Sequence, residues 1–318
     1  MPLAVADEKA RVAVTVPNGP KGVFAAALTP VTDDLAPDTA RLVEHCRWLL
    51  ANGCDGVAPL GTTGEASSFS LTERMAIMDA LAESGIPGER FIIGTGSCAI
   101  TEAVELTRRA VAMGAAGALV IPPFYFKSPS EDGLFAFYSE LIQRIGDSRL
   151  RIYLYHFPQT SAVPIGLSLI ERLLARYPQV VAGAKDSAGE IGNMIAMARI
   201  PQFRVFSGTE RLLLPVLEAG GAGCITAGAN VIAPITGALY AEWRRSGASA
   251  AAKRLQDEVT RQRLLLDGYP MIPAMKALLA RRFDAPQWRN VRPPFVRLPS
   301  AHEAALFGKI DGAGLVLP

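Results

Sequence analysis

From about residue 22 the chain alternates between two hydrophobic patterns. One is a short run of β-formers and small residues; the other, after a break at Gly, Pro, Thr or Ser, is a longer stretch with apolar residues near helical spacing. The short runs fall at 22–30, 55–60, 90–94, 117–122, 150–155, 180–185, 203–207 and 223–227. Between them, stretches such as 71–78 and 101–110 predict helices, with a threonine before a glutamate (Thr72-Glu73, Thr101-Glu102) reading as the cap. Eight strand–helix units in one uninterrupted series predict an α/β fold, a closed (β/α)8 barrel built with right-handed crossovers. The rival is a doubly wound open sheet, which usually needs fewer strands, and no G-x-G-x-x-G follows the first run.

After the eighth unit the pattern changes. Residues 235–245, 248–266 and 272–283 read as helices with no strands between them, and Pro293-Pro294 then breaks the periodicity. The expected organisation is an N-terminal extension at 1–21, a catalytic barrel at 22–234 and a C-terminal helical region at 235–318, packed on the barrel as an appendage.

Composition narrows the function classes. Half of the 318 residues are hydrophobic, enough for one large core. The formal charge of +2 arises from 32 basic and 30 acidic residues mixed along the chain, without the basic stripe that nucleic acid requires. No run of 18 apolar residues is present to span a bilayer, and residues 1–21 lack the apolar core of a signal peptide. Four cysteines without a C-x-x-C pair suggest neither a disulfide framework nor a zinc site, which fits a reducing cytoplasm. The three histidines, His45, His156 and His302, form no metal-binding spacing, so no metal or cofactor is expected.

In a barrel of this kind the reacting groups belong at the C-terminal ends of the strands. The sixth run ends Gly183-Ala184-Lys185-Asp186-Ser187, placing one of only seven lysines directly after small apolar residues. Desolvation there favours a neutral amine able to attack a carbonyl, which a guanidinium cannot do; the alternative is a strand-end lysine that reaches water or pairs with Asp186. The fifth run ends Tyr153-Leu154-Tyr155-His156, and the shared parity of Tyr153 and Tyr155 turns both inward. A phenol at the rim can shuttle a proton, although a strand tyrosine can equally be packing. The second run leads into Gly61-Thr62-Thr63-Gly64-Glu65, a turn whose hydroxyl and N–H donors suit a carboxylate, or simply cap a helix.

Taken together these strand ends resemble the dihydrodipicolinate synthase and N-acetylneuraminate lyase family of pyruvate-dependent class I lyases. The resemblance runs from Gly22 to about Leu298, through residues 61–65, Pro122-Pro123-Phe124-Tyr125, Tyr155-His156-Phe157-Pro158, residues 183–187, Ser207-Gly208, Gly223-Cys224-Ile225-Thr226 and residues 272–276. It implies Lys185 as the Schiff-base lysine and Tyr155 as the proton donor and acceptor, with Thr62 linking Tyr155 to a second tyrosine, Tyr125, that a neighbouring subunit supplies. A dimer or tetramer is therefore implied. Thr63 would hold the carboxylate of pyruvate, and Gly208 and Ile225 would line the pocket.

The chain also departs from the family's two named enzymes. Dihydrodipicolinate synthases carry a carboxylate-binding arginine five residues after the tyrosine, where this chain has Thr160. Sialate lyases carry an Asp-Glu pair after the glycine of the seventh strand, where this chain reads Gly208-Thr209-Glu210-Arg211. Glu210 is read as an acceptor for substrate hydroxyls; Arg211, if inward, would prefer a carboxylate, and otherwise it is a surface residue. His156 alternates away from Tyr155 and reads as a supporting or core histidine. The resulting expectation is an aldolase acting on pyruvate and an aldehyde, or alternatively a dehydratase of a 2-keto-3-deoxy sugar acid or related hydroxy-oxo acid. Dihydrodipicolinate synthesis and a non-catalytic, ligand-sensing barrel rank lower.

Overall fold

A computed structural model describes residues 19–315; most of the expected N-terminal extension lies outside the described residues. Eight strands form one parallel sheet: β1 (Gly22–Ala25), β2 (Gly56–Val57), β3 (Ile92–Gly94), β4 (Gly117–Val120), β5 (Ile152–His156), β6 (Val181–Asp186), β7 (Arg204–Ser207) and β8 (Gly223–Thr226). Each strand lies within, or within a residue of, one of the eight short apolar runs. β1 joins β8 in register, and the sheet closes between β2 and β3 through a parallel bridge of Val57 with Phe91 and a 2.9 Å bond from the Gly94 N–H to the Pro59 carbonyl. At that seam the two backbones touch, and a β-carbon on Gly94 would sit 1.9 Å from the Leu60 carbonyl oxygen. The sheet is therefore a (β/α)8 barrel.

The strands bury both faces, which explains why they read as continuous apolar runs rather than alternating ones. Inside the barrel, Phe24, Ile92, Leu119, Tyr153, Phe206 and Ile225 fill the space, with Phe206 edge-on to both Phe24 and Tyr153 at centroid distances of 5.6 and 5.7 Å. Outside it, the helices α1 (Thr39–Ala51), α2 (Leu71–Glu83) and α3 (Ile100–Ala112) lay Leu42, Leu49, Ile77, Leu81 and Leu106 against Val23, Val57 and Ile93. The helices α4 (Glu131–Ile145), α5 (Pro158–Ser161), α6 (Leu167–Arg176), α7 (Ile191–Ala198) and α8 (Leu213–Glu218) complete the ring on the far side, where Leu141, Ile170 and Met194 meet Val120, Leu154 and Val205. The helix starts differ from the expected threonine caps. Ser70 and Glu73 exchange bonds in a capping box ahead of Thr72's turn, and α3 opens after Ala99 with no side-chain cap.

The helix after β8, α9, spans Ala229–Ser246 and bends at Ile232, ahead of Pro234. Position 234 thus falls inside a helix rather than between two units. Beyond it α10 (Ala250–Leu264), α11 (Met271–Arg282) and α12 (Ser300–Gly312) follow; the last lies past Pro293-Pro294, where periodicity gave no helix. Leu278, Trp288, Leu306 and Ile310 join Leu28 and Val231 in a core of their own.

This C-terminal region reaches back to the rim of the barrel. Glu65 ends the turn after β2, and its carboxylate forms an ion pair with Lys276 in which both side chains are fully buried. Lys276 also donates to the Asn290 carbonyl at 2.8 Å, and the second carboxylate oxygen accepts from the Arg292 N–H at 3.0 Å. Burial pulls the Lys276 ammonium below its usual range, partly offset by Glu65. Leu60 and Glu65, both at left-handed φ of 58° and 55°, bracket the turn, so this pair holds a backbone that non-glycine residues seldom adopt. Glu65→Ala, which strands the ammonium, should cost about 3–5 kcal/mol in urea unfolding, and the double variant with Lys276→Met should recover part of that loss. An undiminished urea midpoint in Glu65→Ala would show that the pair does not hold the turn.

Candidate active site

Lys185 and Tyr155 are direct register partners on adjacent strands β6 and β5. Both point into the barrel at its C-terminal end, and the Lys185 Nζ donates to the Tyr155 hydroxyl at 3.3 Å while lying 4.3 Å from the ring centroid. Thr62, in the turn after β2, comes within 3.3 Å of the same hydroxyl from across the barrel. Lysine, phenol and threonine therefore form one hydrogen-bonded chain assembled from residues 62, 155 and 185.

Asp186 faces the opposite way, so the expected alternative of a Lys185–Asp186 pair is not what forms. Its carboxylate accepts from the Ala188 N–H at 2.8 Å and from Asn193 at 2.7 Å, and burial raises its pKa. His156 likewise alternates outward and accepts the Ile165 N–H on Nδ1 at 3.0 Å; burial depresses its pKa against the pull of Asp186 and Glu190. It is a structural histidine, as its parity predicts.

The phenol of Tyr155 is almost wholly buried. Burial alone would raise its pKa, but the charge of Lys185 and hydrogen bonds with Thr62, Ser187 and Lys185 together outweigh it and hold the phenol below its ordinary value. Ser187 lies just past the end of β6 and meets the tyrosine only in three dimensions, so sequence reading gave it no role.

A cavity of about 420 Å³ opens above this chain and is walled by Lys185, Thr62, Thr63, Tyr155, Gly208 and Glu210. Gly208 is required by space: a β-carbon there would lie 2.1 Å from the Ser187 hydroxyl. A second cavity, about 360 Å³ and largely apolar, lies on the other side of Thr62 and Tyr155 and is floored by Leu119, Ile121 and Phe124. Phe295, from the C-terminal region, borders both.

The remaining expected residues differ in their placement. Ile225 is fully buried in the barrel interior with Tyr155 and does not line either cavity; its neighbour Thr226 does. Glu210 is wholly buried, accepts a hydrogen bond from Thr226 and lies 3.5 Å from the Nε of Arg263. Arg211 turns out to the rim, half exposed, 3.9 Å from Asp267. Tyr125 is 73% exposed on the loop after β4, stacked edge-on with the equally exposed Phe126, so within one chain it does not reach Thr62. Arg263, on α10, reaches the cavity from a helix that periodicity marked only as part of an appendage. Among the described residues, no three His, Cys, Asp or Glu side chains gather to hold a metal ion.

The electrostatic origin of the lowered Tyr155 pKa is open to spectroscopic titration. Alongside Tyr177, whose pKa is also lowered, Tyr155 should give its own ionisation step below about pH 10, the ordinary phenol value, in an ultraviolet difference titration. The Tyr155 step should vanish in Tyr155→Phe and move upward in Lys185→Met, where burial acts without the ammonium. An unmoved step in Lys185→Met would assign the shift to another cause.

Comparison with known proteins agrees with this fold. The dihydrodipicolinate synthetase family matches residues 19–310. A DapA-like lyase of uncharacterised activity from Chloroflexus aurantiacus is 36% identical over 290 residues, 90% of this chain and 95% of that protein. The 4-hydroxy-tetrahydrodipicolinate synthase of Rhizobium meliloti is 33% identical over 241 residues, covering 75% of this chain and 80% of its own. The crystal structure of dihydrodipicolinate synthase from Agrobacterium tumefaciens superposes with a TM-score of 0.82 at 32% identity, over 92% of this chain and 98% of the other. With the barrel and these relatives in agreement, the chain belongs to the dihydrodipicolinate synthetase family and is a lyase.

Proposed function

We propose that this lyase binds pyruvate, or a related 2-oxo acid, as a Schiff base on Lys185. The observation that carries the reading is the Lys185–Tyr155–Thr62 chain at the C-terminal rim, with both links at 3.3 Å. An amine must be neutral to attack a ketone, and Tyr155, its pKa held down, is placed to take the ammonium proton. Attack of Nζ on the ketone carbon gives a carbinolamine; protonation of its oxygen by Tyr155 and loss of water give the iminium. The iminium then accepts the electron pair of a breaking bond at the adjacent carbon. In condensation that bond is C–H: Tyr155 takes its proton, the resulting enamine carbon bonds to the aldehyde carbon, and the aldehyde oxygen takes the proton back; cleavage reverses these steps, and water hydrolyses the imine to release the product and free Lys185. Thr63, at the cavity wall, supplies a hydroxyl for the pyruvate carboxylate.

Loss of water from a keto-deoxy sugar acid shares these first steps, so dehydration is the second reading. Dihydrodipicolinate synthesis ranks lower because Thr160, which borders both cavities, cannot offer a semialdehyde carboxylate the bidentate grip of an arginine. A non-catalytic barrel ranks lowest, since it would not require a buried lysine hydrogen-bonded to a phenol.

A second copy of the chain completes the site in this reading. Tyr125 and Phe126 are large, adjacent and exposed, and the apolar cavity beside Thr62 is a receptor of suitable character for such a pair. In the cell the enzyme works in the cytoplasm as a dimer or tetramer.

Borohydride reduction in the presence of pyruvate should fix an adduct on Lys185, located by peptide mass and absent from Lys185→Ala. Tyr155→Phe should lower turnover by roughly 10²–10⁴-fold, the scale of general acid–base catalysis, while borohydride still traps pyruvate. An unmodified Lys185 would sink the mechanism. Sedimentation should find an oligomer that Tyr125→Arg with Phe126→Arg dissociates with loss of activity; a fully active monomer would remove Tyr125 from the site.

A further inference from the structure

We propose that Arg263 anchors the second substrate of this lyase by a carboxylate, making it a specificity-determining residue supplied by the C-terminal region. The inference rests on the imine reading above and adds the chemistry of the other half of the cavity.

The wall at Thr160 is uncharged, yet the cavity is not without a cation. Among the described residues that line it, the cationic side chains are Lys185 and Arg263. Once Lys185 is committed to the imine that holds the 2-oxo acid, Arg263 is the remaining lining cation for a separate anionic group. Its side chain is only 13% exposed, so a charge-assisted bond there is shielded from water and from competing ions.

The hydrogen bonds of the guanidinium are unequal. Nη1 donates to Asp267 at 2.7 Å, Nε approaches Glu210 at 3.5 Å, and Nη2 meets the thioether sulfur of Met271 at 3.8 Å, a weak acceptor. One edge is thus backed by a carboxylate that is itself fixed. Glu210 is fully buried and receives the Thr226 hydroxyl, and it packs so tightly on Gly228 that a β-carbon there would fall 1.9 Å from its oxygen. In this inference Glu210 acts as a positioning residue for Arg263. The other edge holds two exchangeable contacts. A thioether is readily replaced by an oxygen anion, and Asp267, nearly half exposed, forms the kind of pair that contributes little stability. A substrate carboxylate that displaces Asp267 takes both terminal nitrogens bidentately and leaves the charge of the site balanced. Arg211, for which the sequence left both an inward and a surface placement open, holds Asp267 from outside at 3.9 Å and is placed to keep it once displaced.

The test is kinetic and uses the full oligomer with pyruvate and aldehydes matched in length, glyoxylate against glycolaldehyde and succinic semialdehyde against butanal. The wild type should favour the anionic member of each pair in kcat/KM. Arg263→Met should lower that preference by about 10- to 100-fold, through KM rather than kcat, as expected for loss of a charged hydrogen bond. Arg263→Lys should fall between the two, and Asp267→Asn, which frees the terminal nitrogens, should lower KM for the anionic aldehydes. Borohydride trapping of pyruvate on Lys185, run in every variant, keeps the two readings apart: trapping without any change in the anionic preference overturns the role of Arg263 alone, whereas no trapping in the wild type removes the imine and the inference with it. A wild-type preference for the neutral aldehydes, or equal losses for both members of a pair, also overturns it. Because Arg263→Met can disturb α10, the opposite shift in Asp267→Asn decides the matter if that variant unfolds.

Discussion

Strands β5 and β6 pair so that Tyr155 stands directly opposite Lys185, and the chemistry of the rim depends on that one register. A slip by a single residue would exchange Lys185 for Asp186 and Tyr155 for His156, because side chains alternate across a strand. It would place a carboxylate inside the barrel and put the amine in the helical layer. Both interior and exterior are close-packed, the first with aromatic rings and the second with aliphatic helix faces, so the register is specified from two sides. The ammonium then acts on the phenol in a setting with little water, which is why the phenol's pKa falls despite its burial.

The third member of the chain is set by different physics. Thr62 lies on a turn whose backbone adopts left-handed φ at Leu60 and Glu65. Local sequence does not favour that conformation, so a distant element must hold it. The holding group is the buried Lys276, with the Arg292 N–H beside it, and the arginine's side chain extends the clamp by donating to the Leu35 and Ser68 carbonyls at 2.8 and 2.7 Å. The helical region after the barrel is consequently part of the active site's scaffold. It supplies Phe295 to both cavities and Arg263 to one, and its removal would free the threonine turn.

On the proposed function, the cavity divides into two halves. The half of the cavity that meets a 2-oxo acid is built from strand ends and the turn after β2. The half that meets a second substrate is built from the segment after β5, the segment after β7 and α10, elements whose side chains change without disturbing the barrel. In that reading Thr160 and Arg263 sit on the second half, apart from Lys185 and Tyr155.

Much of this was legible in the linear chain. Eight apolar runs at regular spacing determine a parallel barrel because every strand must bury both faces, and parity within 152–156 and 181–186 determines which side chains face inward. Lys185, Tyr155, Thr62 and Thr63 could be named for the same reason: strand ends and the turns after them are local features. What only the tertiary structure decided was long-range. The placement of Arg211 outside and Arg263 inside, the burial of Glu210 and Ile225, and the pairing of Glu65 with Lys276 across 211 positions all arise from packing between elements distant in sequence. Hydrophobic periodicity reports which face of a helix is covered and carries no record of what covers it, and for that reason α10 read as an appendage until its arginine was seen in the cavity.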